Sequence, residues 1–175
     1  MSDKRSLATV WLDGCSGCHM SLLDMDERLL QLLSSEFDLV YSPLVDNKVF
    51  PAGVDVTLLE GAVSNEEDLR KLNTVRSRSR ILVSLGDCAV TANVPSLRNA
   101  LTVNQVLERV SAGQLPRQPE DVPLLCAQAR PVHNFVKVDV FVPGCPPSAD
   151  TIHFLLTELA AGRTPNLSQL TRFGA

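Results

Sequence analysis

The strongest constraint on this chain is an alternation. Five apolar runs, Leu7–Leu12, Phe37–Val45, Val54–Leu59, Arg80–Leu85 and Val136–Val142, are separated by segments whose apolar residues recur at helical spacing. Most of the runs are near-continuous stretches of Val and Leu, the pattern of strands covered on both faces. The last sets Val136, Val138, Val140 and Val142 against Lys137 and Asp139, which suits an edge strand with one wetter face. Pro43 lies inside the second run, so that strand also belongs near an edge or stops early. Leu22, Met25, Leu29, Leu32 and Leu33 fall on one face of a helix beginning near Met20. Ser64 and Glu67 resemble a capping box ahead of Leu69, Leu72 and Val75, and Ile152, Leu155, Leu156 and Leu159 form the cleanest helical stripe. A weaker helix spans about 103–112. This alternation predicts an α/β sandwich, a parallel sheet of about five strands with helices on both faces.

The 175 residues fit one domain, 1–175. Pro116, Pro119, Pro123 and Pro131 mark a long surface loop over about 112–131, of the kind that serves function or is covered by a partner. With 45% hydrophobic and 21% charged residues the chain is globular rather than disordered. A net charge of −4 gives no basis for binding nucleic acid. No apolar run approaches the ~20 residues of a membrane span, so membrane insertion is not expected. The stretch after Met1–Ser6 is too short for a signal-peptide core and no Arg-Arg pair occurs, so the expected location is the cytoplasm. An odd count of five cysteines in that compartment points to metal, cluster or redox chemistry rather than disulfides.

Four of those cysteines fall just after predicted strands. Cys15 and Cys18 lie in Asp13-Gly-Cys-Ser-Gly-Cys-His19, Cys88 in Gly86-Asp-Cys-Ala89, and Cys145 in Pro143-Gly-Cys-Pro-Pro147. A parallel sheet brings its strand C-termini to one rim, where the ligand sites of open α/β sheets gather. Four thiols converging there make a cluster or metal site. Gly14, Gly17, Gly86 and Gly144 let the backbone approach a bulky cofactor and free amides to bond its sulfides. Pro146 and Pro147 stiffen the last loop and delay the next helix to about Ser148.

Other chemistries use parts of this pattern. Cys15-Ser-Gly-Cys18-His19 matches the c-type haem attachment motif, but that attachment normally follows export. A thioredoxin-like dithiol leaves Cys88 and Cys145 unexplained. Structural zinc is compatible with four cysteines, although its sites usually come as two close Cys-x-x-Cys pairs. A flavodoxin-type FMN site would use the loop after the first strand, which here carries cysteines and lacks a Ser/Thr-rich phosphate cradle.

Taken together, Val10-Trp-Leu-Asp-Gly-Cys-Ser-Gly-Cys, Leu59-Glu-Gly-Ala, Gly86-Asp-Cys-Ala and Val142-Pro-Gly-Cys-Pro-Pro-Ser resemble the nickel–iron hydrogenase small subunit, above all the short delta subunit of cytoplasmic NAD-reducing enzymes. The likeness runs from the first strand to the last helix. The cluster-bearing subunit of respiratory NADH dehydrogenase shares the signature but typically has adjacent cysteines in the first motif, where Cys15 and Cys18 are separated by two residues. The resemblance implies a flavodoxin-like fold with one 4Fe–4S cluster on Cys15, Cys18, Cys88 and Cys145. It implies a nickel–iron centre in a separate large subunit, and an iron–sulfur/flavin diaphorase module that passes electrons to NAD⁺. The chain would thus be an electron-transfer subunit of a hydrogenase and not catalytic alone; a free-standing redox or metal-binding module is the reading without partners. The cysteine-rich C-terminal domain of membrane-linked relatives has no counterpart in the thirty residues after Cys145, so one cluster is expected. Many relatives carry Glu just before the first cysteine, where Gly14 stands here.

Other residues have two readings. Glu60 matches the family's Glu-Gly step and serves either as a supporting contact near the cluster or subunit interface, or in loop hydrogen bonding. Asp13 and Asp87 read mainly as helix caps or loop anchors. His19 either tunes the cluster and faces the large subunit or fills solvent or interface space, and His133 is left without a role. Cys126, with no glycine cradle, reads as a free thiol, buried or covered by a partner. Arg76, Arg78 and Arg80 read as a solvated helix end.

Overall fold

The structure, a computed structural model, describes residues 4–111 and 122–174. In chain order the elements are β1 (Arg5–Trp11), α1 (Gly17–Leu23), α2 (Glu27–Ser35), β2 (Phe37–Tyr41), β3 (Val54–Glu60), β4 (Val63–Asn65), α3 (Glu66–Arg78), β5 (Ser79–Leu85) and α4 (Gly86–Thr91). There follow a 3₁₀ segment (Val94–Ala100), α5 (Val103–Val110), β6 (Leu125–Arg130), a 3₁₀ turn (Val132–Asn134), β7 (Val140–Val142) and α6 (Ala149–Ala160). Five strands pair in parallel in the order β2-β1-β3-β5-β7. The expected α/β sheet is therefore present, with β2 and β7 at its edges.

Alternation along the strands feeds two cores. Leu7, Val56, Leu58, Val83 and Leu85 meet Leu22, Met25, Leu32, Ile152, Leu155, Leu156 and Leu159, so α1, α2 and α6 cover one face. Ala8, Val10, Leu59 and Leu82 meet Leu72, Val75 and Ala89 on the other, beneath α3 and α4. Each fully buried Leu or Val contributes about 1.5–3 kcal/mol of transfer free energy. That burial, repeated on both faces, is why the runs read as continuous rather than alternating.

Several boundaries differ from the sequence reading. The second strand stops at Tyr41, two residues before Pro43. The helix expected from Met20 is two helices. Between them Asp26 takes φ +49° and Met25 is buried. The last strand keeps only three residues, because Asp139 replaces the ladder before it: its N–H donates to the Leu82 carbonyl at 3.0 Å, and its Oδ2 accepts the Leu82 N–H at 2.9 Å. The cap of α3 is Asn65, whose Oδ1 accepts the Asp68 N–H at 2.9 Å; Ser64 lies in β4 and donates to Asp68 instead. A capping box does form at Thr102 and Gln105, ahead of α5.

The loop expected over 112–131 is corrected in part. Residues 112–121 lie outside the described residues, but β6 is a strand paired antiparallel to β4. Its side chains carry little pattern, since only Ala129 is buried. Backbone bonds hold it: Asn99 makes two 2.8 Å bonds to the Ala129 main chain, and Arg98 Nη2 donates to the carbonyls of Ser64 and Cys126 at 2.8 and 3.0 Å. A strand secured by its neighbours' side chains leaves no hydrophobic period to read. Among the described residues no helix is long and apolar enough to cross a membrane.

Candidate functional site

β1, β3, β5 and β7 lie side by side, so the segments leaving their C-termini share one rim. The chain order reverses between β1 and β3, which makes this the switch point at which open α/β sheets take ligands. Cys15 sits on the turn after β1 and Cys18 near the start of α1. Cys88 lies in α4, directly after β5, and Cys145 follows β7. A cis peptide joins Cys145 to Pro146, and Ser148 then caps α6 by accepting the Thr151 N–H at 3.2 Å. All four thiols line one cavity of about 50 Å³, together with Gly14, Gly17, Glu60, Gly61, Asp87, Gly144 and Pro146. Three loops 57 or more residues apart in sequence are thus brought to one rim by the sheet.

Two buried carboxylates brace those loops. Glu60, the last residue of β3, is 2% exposed, and its Oε2 accepts the backbone N–H of His19 at 2.7 Å. The same oxygen lies 2.8 Å from His19 Nδ1, while Nε2 lies 3.0 Å from Thr9 Oγ1. Thr9 in turn donates to Ser42 Oγ at 2.8 Å. His19 is therefore a buried member of a polar chain that starts at the cavity wall, rather than a solvent or interface side chain. Asp87 accepts the Gly144 N–H at 2.7 Å, fastening the loop of Cys145 to that of Cys88. Asp13 makes a two-way backbone bridge to Ala62, at 3.1 and 2.7 Å.

Electrostatics at the rim are one-sided. Burial pushes the Cys18 thiol up, and the charges of Glu60, Cys88, Cys15 and Cys145 push it further. Burial also raises Cys88; the Val94 N–H opposes this, while Cys145, Cys15 and Glu60 add to it. No Lys or Arg lines the cavity among the described residues. Burial, with this repulsion added, favours the protonated thiols of Cys18 and Cys88 unless a cation enters their midst. Asn93 Nδ2 donates to Cys145 Sγ at 3.6 Å, and such outer donors stabilise a thiolate.

The donor set fits a multi-atom cluster better than a single ion. No three His, Cys, Asp or Glu side chains among the described residues close on one point as the ligands of a lone metal ion do. All four cysteines instead line one cavity, a donor set of the kind that can hold an iron–sulfur cluster. The backbone around the cysteines depends on two glycines. Gly86 has φ +82°, and a Cβ there would collide with Cys18 Sγ. Gly61 has φ +90°, and a Cβ would lie 2.7 Å from the Leu12 carbonyl carbon, where β1 and β3 hand over to the site.

The remaining candidates lie elsewhere. Cys126 is on β6, away from the cavity, and burial raises its thiol despite the nearby Arg98 charge. His133 stacks edge-on with Phe141, ring centroids 5.7 Å apart. The arginines are not simply solvated: Arg76 bonds Asp139 and the Ser79 carbonyl at 2.6 Å, Arg78 the Phe50 carbonyl, and Arg80 Asp55. Sequence reading missed Asn93; of its two readings of Asp87, helix cap or loop anchor, the bond to Gly144 shows the second, and the loop anchored is that of Cys145.

Known proteins resemble this chain in sequence and in fold. Residues 15–159 match the family described as NADH ubiquinone oxidoreductase, 20 Kd subunit. The delta subunit of the NAD-reducing hydrogenase HoxS of Cupriavidus necator is 38% identical over 97% of this chain and 86% of its own length. One component of the F420-non-reducing hydrogenase vhu of Methanocaldococcus jannaschii is 36% identical over 90% of this chain, which spans only 57% of that relative. A crystal structure of an NAD⁺-reducing [NiFe]-hydrogenase in the H₂-reduced state contains a chain with a TM-score of 0.89 and 39% identity, covering 97% of this chain and 99% of that one. The Ni-Fe-Se hydrogenase of Desulfomicrobium baculatum, at 19% identity and a TM-score of 0.60, shares the fold, with 97% of this chain and 69% of that chain covered.

Proposed function

The chain belongs to the NADH ubiquinone oxidoreductase 20 kDa subunit family, and from that premise we propose that it is the electron-transfer small subunit of an NAD-reducing nickel–iron hydrogenase. In this reading Cys15, Cys18, Cys88 and Cys145 hold one 4Fe–4S cluster. When bound, that cluster supplies one-electron relay between the nickel–iron centre of a large subunit and a diaphorase module that reduces NAD⁺.

The residues of this chain do the holding and tuning. Four thiolates from three loops fix the position of the cofactor, and the parallel sheet fixes the loops. Glu60 and Asp87 accept backbone N–H groups beside Cys18 and Cys145, so the ligand spacing is set by buried hydrogen bonds. The same carboxylates place negative charge at the cavity, which favours the more oxidised form of anything bound there. Exposed Cys15 and Cys145 mark the side from which a partner's redox centre would approach.

The observation that carries the reading is the convergence of four cysteines on one cavity at the switch point of the sheet. Anaerobic purification of the tagged chain from its native cells is the test. It is expected to yield a nickel-containing subunit and a flavin-containing module that together reduce NAD⁺ with hydrogen. Recovery of the chain alone, or within a quinone-linked membrane complex, overturns the proposal.

A further inference from the structure

Three separate stretches of chain meet at Asp87. It stands one position before Cys88, in the first turn of α4, and is 4% exposed. Its N–H donates to the Gly144 carbonyl at 2.8 Å, and its Oδ1 accepts the N–H of the same glycine at 2.7 Å. Gly144 stands one position before Cys145, so a reciprocal pair of bonds ties two cysteine loops together. The other carboxylate oxygen, Oδ2, accepts the N–H of Gly174 at 2.7 Å.

Gly174 belongs to the segment that leaves α6 and returns to the same rim. Leu167 anchors that segment in the core, and the Leu170 carbonyl accepts the Thr151 hydroxyl at 3.0 Å. Leu170, Thr171 and Arg172 then face Pro146 and Pro147 across a cleft of about 350 Å³. The segment thus borders the loop of Cys145 across that cleft and, at Gly174, reaches the carboxylate that braces the loop. An ionised carboxylate accepts from both backbone donors at once, a task that neither an amide nor a hydroxyl duplicates.

Resting on the cluster-bearing reading above, we propose that Asp87 is a positioning residue that sets the separation of Cys88 and Cys145 and, through Gly174, makes it depend on the seating of the C-terminal segment. The segment is a strap over the third ligand loop. Loosening it at Gly174 frees Oδ2, lets the Asp87 side chain turn, and weakens the bond to Gly144.

Two substitutions in the intact complex test this. Asp87→Asn keeps the shape but turns an amide N–H₂ toward one of the two donors. Gly174→Pro deletes the strap N–H and, being fixed at φ about −65° where Gly174 has +71°, unseats the strap without changing the Asp87 side chain. The readouts are hydrogen exchange at the Gly144 amide and the paramagnetic spectrum of the reduced protein. Exchange at Gly144 is expected to rise about tenfold in Asp87→Asn and severalfold in Gly174→Pro, with an altered spectral line shape in both and iron retained. Wild-type exchange and line shape in Gly174→Pro overturn the strap, and wild-type behaviour in both overturns the positioning role. Should Asp87→Asn fail to load iron, Gly174→Pro decides the matter. Absence of iron and sulfide from the wild-type complex refutes the cluster reading instead, and Gly144 exchange in the two variants still decides whether Asp87 joins the loops and the strap.

Discussion

The backbone N–H and the ring Nδ1 of His19 both meet Glu60 Oε2, at 2.7 and 2.8 Å. One oxygen at the end of β3 thereby fixes the main chain immediately after Cys18 and the side chain that leads on to Thr9 and Ser42. Glu60→Gln retains the shape but weakens an ionic acceptor to a neutral one. The expected loss is about 1–3 kcal/mol of stability, with reduced iron retention. Thermal denaturation and iron analysis check this; wild-type values in both contradict it.

Cys145→Ser and Cys126→Ser should separate sharply. The first removes a thiol from the cavity wall, and the second changes a side chain on β6 that does not touch it. Cluster content and the paramagnetic signature should be lost or altered only in Cys145→Ser. Equal effects from the two substitutions contradict the ligand assignment.

Gly86→Ala adds a single methyl where φ is +82° and Cys18 Sγ already occupies the space. The strained backbone and the clash both act on ligand loops. The variant should fold with little or no cluster, read as a loss of iron and sulfide against retained helical circular dichroism. Full cluster content contradicts the close packing of α4 against Cys18.

The sheet and its cysteine rim were legible because both rest on strong, local signals. Val- and Leu-rich runs such as Val54–Leu59 report double-sided burial, and cysteines placed directly after such runs inherit a common rim from the parallel topology. What escaped reading depends on contacts between distant residues. β6 is held by Asn99 and Arg98, the break between α1 and α2 by the turn at Asp26, and the last strand is shortened by the side chain of Asp139. The buried position of His19 likewise follows from Glu60, 41 residues away, and leaves no trace in the motif around Cys18.

Acid stability should depend measurably on Asp139. Burial alone would raise its carboxyl, but the Leu82 N–H and the Arg76 hydrogen bond and charge hold it below the usual range, with Lys137 assisting. A lowered folded-state value means stabilisation that is complete above the unfolded value of about 4 and is lost as the pH falls through the folded one. The acid limb of stability should therefore be shallower in Asp139→Asn than in the wild type, with the two curves converging at the lowest pH. Parallel curves contradict the assignment.

The account stands on four thiols sharing one inorganic core, and metal and sulfide analysis of the anaerobically purified chain tests this most directly. One 4Fe–4S cluster requires about four iron and about four acid-labile sulfide per chain. Zinc in place of iron, with no sulfide, contradicts it.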